Sequence, residues 1–105
     1  MKFYALAEMS ITDPSWVDSY VTNVTGMVEQ YGGRYLARTD KIERLEGDRP
    51  CPQIIVIVEW PSREAADQFY ESEDYRPYRE ARMKGAQNQF FVVAGNDITR
   101  RAHIE

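Results

Sequence analysis

The sequence holds one cysteine and one histidine in 105 residues. Cys51 stands between Pro50 and Pro52, so no internal disulfide forms and nothing asks for an oxidising compartment. His103 is alone in the C-terminal segment, which leaves no His/Cys cluster for zinc, haem or another transition metal. No glycine-rich phosphate loop, dinucleotide fingerprint or nucleophile elbow occurs. No metal and no cofactor are therefore expected. An excess of basic charge is missing too. Thirteen basic and seventeen acidic residues leave a net charge of −4, which argues against nucleic acid or an anionic membrane as partner. No run approaches the roughly 18 uninterrupted apolar residues of a membrane span. The opening MKFYALAEMS is short and carries Glu8 where the apolar part of a secretion signal would lie. A soluble, cytoplasmic protein is expected.

What is present is enough apolar material for one core: 43% hydrophobic and 12% aromatic residues. One domain over residues 1–95 and a polar tail over 96–105 are expected. Residues 3–11 alternate, with Phe3, Ala5, Ala7, Met9 and Ile11 on one side, and so predict a strand. Asp13 and Pro14 suit a helix start. Trp16, Tyr20, Val24, Met27 and Tyr31 then recur at helical spacing, and Gly32-Gly33 ends the helix. RYLAR predicts a second strand, and KIERLEG continues it as a charged edge ribbon. QIIVIVEW and QFFVVAG are apolar on both faces, as strands covered twice would be. Between them lie two short helices, one capped by Ser62 and one holding Pro77 in its first turn.

The order strand, helix, strand, strand, helix pair, strand predicts an α+β, ferredoxin-like βαββαβ sandwich with a four-stranded antiparallel sheet. Helices on one face leave Ile, Val and Phe of the other face uncovered. Each such side chain gains about 1.5–3 kcal/mol on full burial. A second copy packed sheet to sheet would supply that cover. The alternative cover is the tail, whose Asp97, Arg100, Arg101 and Glu105 suit the task poorly.

The chain resembles the bacterial family of domains of unknown function numbered 1330, within the dimeric α/β-barrel superfamily. The likeness rests on ITDP at 11–14, YGGRYLAR at 31–38 and LEGD at 45–48. It continues with IVEWPSREAADQFYESEDYRPY at 57–78 and VVAG at 92–95. The family often reads VRGG where this chain has Ala37-Arg38-Thr39-Asp40, which bears on the turn into the ribbon. The resemblance implies a subunit that pairs into a dimeric barrel, with a cavity between sheet and helices or inside the barrel. It implies no activity, because the family is uncharacterised. Superfamily relatives include cofactor-free monooxygenases, a lactone isomerase and haem enzymes, and fold alone does not choose among them.

Candidate residues are therefore weighed on their own chemistry. Glu8 lies on the second face of the first strand, either as a general base or in an ion pair with an arginine such as Arg38. Arg34 and Glu59 suit a cross-strand bridge. Arg38 at a cavity mouth would clamp a carboxylate. Tyr75, Tyr78 and Arg82 share a helical face, which either holds a ligand or packs on the sheet. Two functions stay open. One is a homodimer binding a small apolar or aromatic anion, with cofactor-independent oxygenase- or isomerase-like chemistry as an extension. The other is a non-catalytic dimeric interaction module.

Overall fold

A computed structural model describes residues 1–104. Strand β1 (Phe3–Ile11) leads through a 3-10 turn (Pro14–Trp16) into helix α1 (Val17–Gln30). Strands β2 (Arg34–Thr39) and β3 (Ile54–Trp60) follow, then α2 (Arg63–Tyr70), α3 (Arg76–Gly85) and β4 (Ala86–Ala94). The four strands form one antiparallel sheet in the order β2-β3-β1-β4. This is the α+β arrangement expected.

Local chemistry sets the boundaries. The Asp13 carboxylate accepts a hydrogen bond from the Ser15 amide at 2.9 Å, which starts the 3-10 turn. Ser62 does the same for α2, accepting from the Ala65 amide at 3.1 Å. Gly32 adopts φ +99°, the left-handed geometry that glycine reaches without a Cβ penalty. Helix α3 passes straight into β4 at Ala86, three residues before the QFFVVAG run begins.

The pairings Ala5–Val58, Ala7–Val56 and Ala5–Val92 define the face that meets the helices. Val24 and Val28 from α1, Ala66 and Phe69 from α2, and Tyr75 close the core against it. Phe69 is its pivot, with ring centroids 5.4 Å from Trp60 and 4.3 Å from Tyr75. The opposite face carries the cross-strand rows Val93–Tyr4–Glu59, Phe91–Leu6–Ile57 and Gln89–Glu8–Ile55. No helix covers it. Phe91 is 52% and Val93 41% exposed.

The charged ribbon departs from expectation. Residues 40–53 form no strand; the Lys41 amide turns back onto the Thr39 hydroxyl at 3.0 Å. With Leu45 94% exposed, the segment has no apolar side to lay on a sheet, so its weak alternation produces no pairing. It folds instead as a loop braced by an Arg44–Arg49 contact, side chain to carbonyl, at 2.7 Å. Residues 96–104 also leave the open face bare. They bend around Asp97, whose carboxylate accepts from the Thr99, Arg101 and Ala102 amides. Those bonds, with the Thr99 hydroxyl, lower the Asp97 pKa to about 2.

Candidate functional site

Between α1, α3 and the helix-side face of the sheet lies a cavity of about 260 Å³. Its walls are almost wholly apolar, with Ala7, Met9, Val24, Val56 and Phe90 among them. Polar groups enter at two places. Arg82, Tyr75 and Tyr20 meet at its buried end, and Arg38 with Tyr35 stands where the wall reaches solvent beside the exposed Val21.

The buried end follows from helix geometry. Tyr75 is the N-cap residue of α3 and Arg82 lies seven residues on, two helical turns, so the two point the same way. Tyr20 comes from α1 and completes the group: its hydroxyl lies 2.5 Å from that of Tyr75. Arg82 Nε donates to the Tyr75 hydroxyl at 3.4 Å, and the guanidinium rests 5.2 Å from the Phe90 ring centroid. Arg82 and Tyr75 are each 1% exposed. No carboxylate pairs with Arg82 among the described residues, and its buried Nη2 has no hydrogen-bond partner. Burial pushes the Arg82 pKa down, but the Tyr75 and Tyr20 hydroxyls lift it above its ordinary value, so the charge persists. Burial, followed by the neighbouring Tyr75, raises the Tyr20 phenol and keeps it protonated.

A buried cation without a counter-charge is costly, and an orphaned donor adds about 1–3 kcal/mol. Both costs fall when an anion occupies the cavity. Arg38 differs. It is exposed, donates from Nη1 to the Thr25 hydroxyl at 2.9 Å, and lies 4.6 Å over the Tyr35 ring. No Asp, Glu or His lines the cavity among the described residues.

The structure divides the other candidates. Tyr78 is half-buried at the edge of the core and does not line the cavity. Glu8 sits on the open face, across the sheet from Arg82, and pairs with Arg49 at 3.1 Å. Its partner is thus not Arg38. The reason is a β-bulge in β2: Arg34 opposes Glu59 and Tyr35 opposes Val58, but Ala37 opposes Ile57 and Arg38 opposes Val56. The extra residue moves Arg38 to the helix side, and the loop brings Arg49 to Glu8 in its place. Arg34 and Glu59 do meet on the open face, at 2.9 Å, with Lys2 adding a 3.1 Å contact. Arg34 first and Lys2 second hold the Glu59 carboxyl below its ordinary pKa.

Tyr20 escaped the sequence reading because a tyrosine in a helical stripe of Trp, Val and Met reads as core. The trace it left was a hydroxyl on an otherwise apolar face, which must find a partner when buried. Among the described residues, no group of three His, Cys, Asp or Glu is placed to hold a metal ion. None of the helices is long and apolar enough to cross a membrane.

Solved structures place this fold among known ones. The RPA0582 protein of unknown function from Rhodopseudomonas palustris superposes with a TM-score of 0.75 at 15% identity, covering 91% of this chain and 83% of its own. SnoaB, a cofactor-independent oxygenase from Streptomyces nogalater, gives 0.65 at 11% identity, with 91% and 94% covered. A dimeric ferredoxin-like protein of unknown function from Jannaschia sp. CCS1 gives 0.67 at 8% identity, with 90% and 99% covered. At these identities the likeness is one of fold. No curated protein matches the chain significantly. The family model described as a domain of unknown function (DUF1330) matches residues 2–96, nearly the whole of the fold described above, and the chain belongs to that family.

Proposed function

We propose that the protein is a homodimer that binds a small apolar or aromatic anion in the cavity between sheet and helices. One observation carries the reading: Arg82 is buried at the end of an apolar chamber with no carboxylate beside it among the described residues and a donor left over. A fold that needed this cation only for packing would do better with a hydrophobic side chain. Pairing of two copies draws on the uncovered apolar face, and on a ferredoxin-like fold relative that is described as dimeric.

The site is built for binding more than for proton abstraction. Every ionisable group on its wall is an arginine or a tyrosine, so oxygenase- or isomerase-like chemistry would require a ligand that arrives as its own anion. Glu8, across the sheet, supplies no base to this cavity. The alternative role as a purely structural dimeric module uses the open face and leaves the chamber unexplained.

Native mass spectrometry of the purified protein, followed by denaturation, tests the proposal. The expected result is a mass of two chains that releases a small organic acid, or takes one up when supplied. A preparation that neither contains nor accepts any apolar acid removes the binding role.

A further inference from the structure

We infer that the ligand is a monocarboxylate with an apolar body, lodged acid-first, its carboxylate shared between Arg82 and the Tyr20–Tyr75 hydroxyl pair. This rests on the anion-binding reading and adds to it the headgroup, the charge number and the direction of binding.

The headgroup follows from a donor count. Nε and Nη2 lie on one edge of a guanidinium. Here Nε donates to the Tyr75 hydroxyl, while Nη2 beside it has no partner. The two phenols carry two protons, and their mutual 2.5 Å bond uses one. Whichever hydroxyl donates, the second proton has no acceptor in that group. Two donors are thus left over next to each other, and a carboxylate offers an oxygen to each. Phe90 covers one face of the guanidinium, so the acid approaches along the edge, in the guanidinium plane. The apolar body attached to it then lies among the cavity's apolar walls, Met9 and the α1 valines included.

The charge number follows from electrostatics. One permanent cation stands at the buried end, and a second, Arg38, is exposed and already engaged by Thr25 and Tyr35. A dianionic phosphate at the buried end would keep an uncompensated charge out of water.

The direction follows from where the cavity is closed. The Gly85 carbonyl accepts from the Thr12 and Asp13 amides and from Trp16 Nε1 at 2.9, 3.1 and 3.1 Å. Trp16 packs edge-on against Tyr20, 5.2 Å between centroids. That knot ties the start of α1 to the end of α3 and shuts the Arg82 side. Solvent meets the wall at Arg38 and Val21. Binding in the reverse sense would press the leftover donors against hydrocarbon.

Calorimetric titration with 2-naphthoate, 2-naphthamide and 2-naphthylphosphonate tests this in the wild type and in Tyr20→Phe, Arg82→Met and Arg38→Gln. Naphthoate should bind at least about tenfold more tightly than the amide or the phosphonate, as a charge-assisted contact implies. Arg82→Met should cost about 100-fold for naphthoate and Tyr20→Phe about fivefold, with the amide little changed in either. Arg38→Gln should stay within about twofold, the effect of an exposed charge. Tyr20→Phe removes one oxygen atom and keeps the test valid if Arg82→Met fails to fold. Loss confined to Arg38→Gln, with Tyr20→Phe silent, overturns the direction and leaves anion binding standing. Phosphonate bound as tightly as carboxylate overturns the charge number. If none of the three probes binds, the anion-binding reading falls as well.

Discussion

The two faces of the sheet treat their arginines in opposite ways. On the open face each cation has a carboxylate: Arg34 and Lys2 share Glu59, and Arg49 holds Glu8. On the helix side Arg82 and Arg38 have none among the described residues and lean on tyrosines and a threonine instead. Open-face ion pairs are cheap to make in water and worth little. The buried unpaired guanidinium is expensive, and a fold keeps such a group when something else will meet it. The helix side thus holds a buried guanidinium with no counter-charge among the described residues, while the open face balances its cations with carboxylates.

The contrast breaks most visibly at Phe91. Phe91→Glu would bury an unpaired carboxylate in a paired open face, a penalty of several kcal/mol, and sedimentation should show single subunits. Affinity for naphthoate should be kept, because Phe91 does not line the cavity; a variant that stays dimeric would remove the open face as the interface. Arg82→Met sharpens the other side. Relieving an uncompensated buried charge should raise stability by about 1–3 kcal/mol, read as a thermal midpoint several degrees higher in the ligand-free protein. A clear drop instead would make Arg82 a packing element. Glu8→Gln should cost about 0.2–1 kcal/mol, as an exposed pair does, with the dimer and naphthoate binding intact. Impaired ligand binding there would reconnect the two faces.

The smallest effect concerns acid. Asp97 has its pKa depressed to about 2 in the fold, from 3.8. Its contribution to tail order is therefore present above about pH 4 and lost as pH falls through 2. Amide resonances of Thr99, Arg101 and Ala102 should move together near that pH, with the sheet resonances unaffected. Movement centred near pH 4 would mean that the amides do not hold the carboxylate in solution.

Much of this fold was legible from local chemistry. Period-two alternation in β1, the Asp13-Pro14 start, the Gly32-Gly33 stop and the doubly apolar β3 are properties of neighbouring residues, and the structure repeats them. Arg34 and Glu59 could be paired in advance because antiparallel strands bring a start beside an end. The candidate site was legible only by halves. Tyr75 at the start of α3 and Arg82 within it are brought to one side by their spacing alone. Tyr20 joins them from 55 residues away, through a packing angle between α1 and α3 that no short window encodes. The ribbon misled because charge alternation resembles an edge strand, and only the lack of an apolar side argued otherwise.

The bulge in β2 has a consequence for how relatives of this chain can differ in length. Residues 40–53 form a loop outside the strands, and gaining or losing a residue there disturbs local contacts such as Arg44–Arg49 and Arg49–Glu8 but leaves the strand register alone. The same change between Tyr35 and Ala37 would exchange inside for outside along the rest of that strand, turning Arg38 away from the chamber and Ala37 towards it. Sequences that differ by one residue at this point should therefore differ in what guards the mouth, even where every neighbouring letter agrees.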